Sequence, residues 1–146
     1  MPIELLLTSD VLDLHYDNAN TWLYLDWKGP QELALVQAAC QDVLAYLQQT
    51  GARKALNDNT HITETSWDLA RWVGYDFMPQ VASAGLEYIA WVCSPLLSCR
   101  TNLGLRSSFS DEKPQVAIFN EISAAYDWLS SMQASSPVRA TYTSST

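Results

Sequence analysis

A run of small polar residues is the part of the sequence best suited to chemistry. Asn57, Asp58, Asn59, Thr60 and His61 follow the short apolar segment 52–56, and a helix is expected to begin soon after them. In open α/β domains, ligands gather where the carboxyl end of a strand meets the N-terminus of a helix. The sequence therefore predicts a functional edge at loop 57–66.

Two kinds of chemistry fit this run. The side chains could line a polar pocket for an anion beside the helix N-terminus, or His61 could act as an acid–base group oriented by Asp58 or Glu64. The structural alternative is that Asn, Asp and Thr hold a turn or cap a helix by bonding to nearby backbone groups. The sequence contains no nucleophile elbow, P-loop, dinucleotide fingerprint or metal-ligand spacing. No catalytic residue, metal ligand or cofactor is therefore assigned, and an enzyme is the least favoured class.

Aromatic residues on the following helix form a second candidate site. Trp67, Trp72 and Tyr75 cannot all lie on the single stripe that a helix buries. Either this helix is covered on two sides, or it exposes an aromatic patch for self-association or for an apolar ligand.

Composition limits the classes of function. The chain has 146 residues, 48% of them apolar and only 16% charged, and its net charge is −8. This composition suits one globular domain, predicted at 1–133, followed by a flexible polar tail at 134–146. The few basic residues are scattered, so binding to nucleic acid or to an anionic membrane surface is not expected.

The cysteines and the N-terminus indicate a cytoplasmic protein. Cys40, Cys93 and Cys99 are odd in number and lie within apolar patterns, so reduced thiols are expected. No signal peptide and no integral membrane segment is predicted.

Hydrophobic periodicity predicts the element order. Alternation indicates strands at 11–16 and 22–27 joined as a hairpin, and residues 3–7 form a further strand or a lead-in. Three- and four-residue spacing indicates a helix from about 30 to 50, ended by Gly51. The remaining predicted elements are strands at 52–56, 86–92 and 116–119, a helix after Thr65, a weak helix at 95–109, and a helix at 122–132. Pro79 should kink the helix after Thr65 or start a second one. We expect an α/β fold with a mixed, mostly parallel sheet, an N-terminal β-hairpin and about four helices.

Three segments give the chain a resemblance to a known family. They are Trp22–Gly29 at the end of the hairpin, Leu56–Thr60 at the polar run, and the closing segment Val116–Leu129. Together they resemble the SpoIIAA-like proteins of bacteria, which include the STAS domains of anti-sigma factor antagonists and the larger STAS/SEC14-like group. The resemblance spans roughly residues 10–132 and implies a SpoIIAA-like fold.

The resemblance also implies a phosphorylation site. In the antagonists a Ser at the start of the helix after the third strand is phosphorylated, within the pattern Asp-x-Ser followed by Asp-Ser-Ser-Gly. Asp58-Asn59-Thr60 looks like the first part, and Ser66 falls near the phosphoacceptor, but Trp67 and Asp68 replace the residues that follow it. Thr60 and Ser66 are the candidate phosphoacceptors, although a bulky Trp and a like-charged Asp oppose a phosphate.

The leading expectation is a non-enzymatic regulatory module that works through loop 57–66 and the following helix. It would bind a protein partner or form a homodimer. The alternative is a small apolar or lipid-like ligand-binding protein, related to the SEC14-like group, that uses the patch Trp67/Trp72/Tyr75.

Overall fold

A computed structural model describes residues 3–95 and 113–134. Its centre is a six-stranded sheet whose strands lie side by side in chain order. The strands are β1 (Ile3–Thr8), β2 (Leu12–Asp17), β3 (Trp22–Pro30), β4 (Lys54–Glu64), β5 (Tyr88–Val92) and β6 (Gln115–Phe119). β1, β2 and β3 pair antiparallel, whereas β3 to β6 pair parallel. The predicted mixed sheet with an N-terminal hairpin is confirmed, and residues 3–7 are a strand rather than a lead-in.

Three helical segments flank the sheet in the described part of the chain. They are α1 (Leu33–Thr50), a continuous run of α2 (Trp67–Trp72), a π-helical turn (Val73–Phe77) and α3 (Met78–Ser83), and α4 (Ile122–Ser131). No helix within residues 3–95 and 113–134 is long and apolar enough to cross a membrane. The helix predicted at 95–109 and the predicted tail lie almost entirely outside the described residues.

Pro79 starts a second helical segment, α3, which is one of the two outcomes expected from the sequence. The Met78 N–H donates to the carbonyl of Val73, five residues back, so one turn is widened just before the proline. Proline lacks an N–H and fits at the start of a helical segment, and Pro79 lies in the first turn of α3. At the other end, Ser66 caps α2, because the Leu69 N–H donates to Ser66 Oγ at 3.1 Å.

Both faces of the sheet are covered, which explains the apolar strands. Leu23, Leu25 and Trp27 of β3 contribute to a core that includes residues of α1 and α2–α3, and we call this side the first face. Trp22 points to the opposite side, the second face, where Ala125 and Leu129 of α4 pack. The division of β3 between two faces is the one that its alternation predicts.

β4 is much longer than the sequence suggests, and this corrects the predicted loop. Its pairing with β3 continues to Pro30 and Glu64, so residues 57–64 are strand and only Thr65 and Ser66 connect it to α2. Asn and Asp are disfavoured in strands, but burial and pairing with a neighbouring strand override that preference.

The cysteines also differ from expectation. Cys40 is free and buried in α1. Cys93, just after β5, is disulfide-bonded, so the prediction of reduced thiols is wrong at this position.

Candidate functional site

Alternation along β4 sends the polar run to both faces of the sheet. Asn57 and Asn59 lie among the residues of the first face, whereas Asp58 bonds to Tyr24 on the second. Between Asp58 and His61, β4 advances three residues while β3 advances two, from Asp26 to Lys28. This bulge returns His61 to the side of Asp58 and re-aims the end of the strand, as bulges commonly do beside functional sites.

On the first face, three side chains form a buried hydrogen-bonded chain. Trp27 Nε1 donates to Asn57 Oδ1 at 2.8 Å, and Asn57 Nδ2 donates to Asn59 Oδ1 at 3.3 Å. Asn59 is only 7% exposed, and its Nδ2 has no hydrogen-bond partner among the described residues. Trp91, beside Asn57 on β5, has a buried Nε1 that is likewise unpartnered within the described ranges.

These side chains line one end of a cavity of about 350 Å³ between the first face, α1 and α2–α3. Most of the wall is apolar and comes from strands and helices far apart in sequence, including Leu25, Ile89, Cys40, Val43, Val73 and Phe77. Among the described lining residues, none is charged. A mainly apolar pocket with a few convergent polar groups is typical of small-molecule sites, and the volume lies within their usual range.

The polar end lies at the carboxyl edge of the parallel strands, beside the cavity's entrance. Thr65, Ser66 and Trp67 line the cavity and are exposed, and Trp67 is 60% accessible. Ser66 Oγ is occupied as the cap of α2. A ligand entering here would pass Trp67 and reach Asn59 at the carboxyl edge, with apolar walls beyond.

On the second face, Asp58 is the centre of a separate network. Its Oδ2 accepts from the Tyr24 hydroxyl at 2.7 Å, and its Oδ1 accepts from the backbone N–H and the hydroxyl of Thr60. Asp58 is buried. Burial and the hydrogen bond to Asp58 hold the pKa of Tyr24 far above its usual value. Thr60 is half-buried, and its hydroxyl donates to the Asp58 carboxylate.

His61 is exposed at the end of this network and contacts Asp26 rather than Asp58. Its Nδ1 lies 3.0 Å from Asp26 Oδ1, and the hydrogen bond and charge of Asp26 raise the pKa of His61. Ligand atoms of Asp26, Asp58 and His61 lie within 4.8 Å of one another, a spacing that could hold a metal ion. However, Asp58 already accepts hydrogen bonds on both oxygens, so the arrangement is explained by hydrogen bonding within the protein.

The three aromatic candidates are not one patch. Trp67 lines the cavity's entrance, whereas Trp72 stacks on Phe77 with ring centroids 5.6 Å apart. Tyr75 is 70% exposed and lies outside the cavity lining.

Sequence reasoning missed the part of the site contributed by Trp27, Trp91 and α1. A signal was present: Asn57 and Asn59 are two residues apart, the spacing of one strand face, and directly follow an apolar strand. Asn, Asp and Thr are also common in turns, and this composition favoured a loop over a strand.

Comparison with solved structures gives a fold relationship. A protein from Shewanella loihica PV-4, described as an uncharacterised member of the DUF3478 family with a SpoIIAA-like fold, superposes with a TM-score of 0.51. The match covers 84% of this chain and 98% of that one at 16% identity. The chain has a SpoIIAA-like fold. The resemblance found in the sequence is confirmed at the level of fold, and the low identity carries nothing further. Comparisons with protein families and with curated proteins give no match.

Proposed function

We propose that this SpoIIAA-like protein binds a small, largely apolar molecule in the cavity between the first face, α1 and α2–α3. The observation that carries this function is the cavity itself: about 350 Å³, apolar walls, and two buried N–H groups at one end. Close packing normally leaves few voids larger than a water molecule. We therefore favour the ligand-binding protein, the alternative in the sequence analysis, over the regulatory module.

The cavity, rather than an aromatic surface patch, is the ligand site in this proposal. Trp67 serves as its entrance, while Trp72 and Tyr75 have no contact role with the ligand. In this proposal the protein acts as a carrier or sensor, in keeping with the non-enzymatic class favoured by the sequence.

Binding of diphenylhexatriene tests the proposal, because this hydrocarbon fluoresces in apolar surroundings and needs no polar contact. We expect saturable binding at about one probe per chain. Val43→Phe, which adds a ring to the cavity wall, should abolish it. Leu35→Phe makes the same kind of enlargement at an exposed position of α1 and should bind the probe normally.

Two results would contradict the proposal. One is the absence of saturable probe binding to folded wild-type protein. The other is equal binding by wild type and Val43→Phe, which would place the probe somewhere other than the cavity.

Protein recognition by α2–α3 is a second candidate, supported by a separate observation. Trp67 and Tyr75 are highly exposed and lie two turns apart on this helix, and large exposed aromatic side chains are characteristic of binding surfaces. This preserves the regulatory module expected from the sequence, with a protein partner or a second copy of the chain. Ser66 is exposed at the start of the same helix and is a better phosphoacceptor candidate than Thr60, whose hydroxyl lies against the Asp58 carboxylate.

Sedimentation at several protein concentrations tests the homodimer. Self-association through this helix predicts a concentration-dependent mass that Trp67→Ala combined with Tyr75→Ala reduces to that of the monomer. A monomer at all concentrations would leave only a different protein as partner.

A further inference from the structure

We propose that the ligand carries an uncharged hydrogen-bond acceptor, such as a ketone, aldehyde or ester carbonyl, which accepts from Asn59 Nδ2 and Trp91 Nε1. This inference rests on the proposed function and specifies the polar end of the ligand. It follows from two donors that the folded protein leaves unpaired.

Chemistry fixes the orientation of the Asn59 amide. The indole Nε1 of Trp27 can only donate, so Asn57 must turn its oxygen toward Trp27 and its nitrogen toward Asn59. Asn59 must then accept with its oxygen. The NH₂ group of Asn59 therefore lies at the end of this chain of hydrogen bonds and is a donor without an acceptor.

Trp91 supplies a second donor close by. It pairs with Asn57 in the β4–β5 register, and Asn59 is the next residue of β4 on the same face. The Cα atoms of diagonal neighbours on adjacent strands lie about 8 Å apart. A carbonyl oxygen has two lone pairs and can accept from one or both groups.

Both free groups are donors, so the ligand must be an acceptor. A buried N–H without a partner costs about 1–3 kcal/mol, and this cost disappears when an acceptor binds. The Ser94 hydroxyl also lines the cavity and donates to the carbonyl of Ile62 at 3.3 Å, and neither of the two N–H groups donates to it.

The acceptor should be neutral. The described lining contains no Lys, Arg or His to balance a carboxylate, and the protein carries a net charge of −8. Burial of an unpaired carboxylate is costly and would oppose binding. A neutral oxygen meets the two donors without that cost.

Size and position complete the description of the ligand. A volume of about 350 Å³ lies near the lower end of the range of small-molecule pockets, about 300–1,000 Å³, so the ligand is small. Trp91 lies one residue before the carboxyl end of β5. The ligand's carbonyl is therefore expected at this end of the cavity, and its hydrocarbon part extends between α1 and the strands.

Displacement of diphenylhexatriene by three ligands tests the inference. They are methyl heptyl ketone, the isosteric alkene in which a methylene group replaces the carbonyl oxygen, and decanoate at about pH 8, where the acid is ionised. The preference for ketone over alkene is measured in wild type and in Trp91→Phe. The ratio of the two preferences cancels the difference in hydrophobicity between the ligands.

We expect the ketone preference to fall about tenfold in Trp91→Phe, the effect of about one hydrogen bond. Trp72→Phe removes an indole outside the cavity and should leave the preference unchanged. The infrared carbonyl stretch of the bound ketone should lie at the lower frequency of a hydrogen-bonded group. Decanoate should displace the probe least.

The inference would be overturned if Trp91→Phe kept the wild-type preference for ketone over alkene and the bound ketone had the carbonyl stretch typical of an apolar solvent. Stronger displacement by decanoate than by the ketone would overturn it as well. In both cases continued binding of the hydrocarbon probe would leave the proposed function standing. Failure of the probe to bind would instead refute the proposed function.

Discussion

At the scale of single residues, Trp27 and Trp91 both line the cavity, but their indole N–H groups differ in hydrogen bonding. Trp27 Nε1 is bonded to Asn57, whereas Trp91 Nε1 has no partner in the described part of the chain. Loss of a bonded donor leaves a buried acceptor unpaired, whereas loss of an unbonded donor removes a cost. The two tryptophans should therefore respond differently to the same substitution.

We expect Trp27→Phe to lower the free energy of unfolding by about 1–3 kcal/mol more than Trp91→Phe does. Both variants lose a similar part of the side chain, so each controls for the packing change in the other. Urea denaturation without added ligand measures the difference. Equal losses would mean that the Trp27–Asn57 bond does not stabilise the fold.

His61 gives a pH-dependent prediction. Asp26 raises the pKa of His61, so the protonated ring is favoured in the folded state. The resulting stabilisation is fully present below the unfolded pKa of about 6.5 and is lost as the pH rises through the higher folded pKa. Because the ring is largely exposed, the effect should stay below about 1 kcal/mol.

Denaturation of wild type and His61→Gln at about pH 5.5 and pH 8.5 measures this effect. The wild type should have the larger advantage at the lower pH. Asp26→Asn should remove the same pH dependence, since it removes the partner. An advantage that is equal at both pH values would show that the pair contributes nothing.

At the scale of secondary-structure elements, the helix α2–α3 contains a glycine that its conformation does not require. Gly74 lies in the π-helical turn, and a Cβ placed there meets no atom within 4 Å. Gly29 in β3 also has open space, but its φ is +69°. The two positions therefore differ in backbone conformation and not in crowding.

Gly74→Ala should raise the free energy of unfolding by about 0.5–1 kcal/mol, because alanine restricts the unfolded chain and favours helix. Gly29→Ala should lower it by about 1–2 kcal/mol, the cost of a left-handed conformation for a residue with a Cβ. Thermal unfolding of the two variants measures both signs. A destabilising Gly74→Ala would indicate that the π-helical turn needs glycine.

The same elements show how far sequence reasoning reaches. The faces of β3 and the end of α1 at Gly51 were predicted correctly, because alternation and a C-terminal glycine are local signals. The extent of β4 was not predicted correctly, since Asn57 to Thr60 have the composition of a turn. Pairing with β3 keeps them in the sheet, and that interaction joins residues about thirty positions apart.

At the scale of the whole molecule, the cavity is the feature that no local pattern could predict. It exists because α1 and α2–α3 cross the same face of the sheet without filling the space between them. Val43 and Val81 read simply as core residues in their helices, yet both line this space. Asn57 and Asn59 were identified as candidates, but their role depends on Trp27 and Trp91 from the strands on either side.

An incompletely filled cavity changes the effect of enlarging a buried side chain. Val43 lines the cavity, whereas Val92 is fully buried in the second core beneath α4. Added methylenes in a well-packed core cost about 1–3 kcal/mol. We therefore expect Val92→Phe to lower the free energy of unfolding by that amount. Val43→Phe should leave it unchanged or raise it, because the new ring enters existing space and buries apolar surface.

Urea denaturation of the two variants without ligand measures these changes. Val43→Phe should combine near-normal stability with loss of probe binding, a result that a general disruption of the fold would not produce. If Val43→Phe proves as destabilising as Val92→Phe, the space beside Val43 is closed in solution. A ligand would then have to open it, and its affinity would be reduced by the free energy of opening.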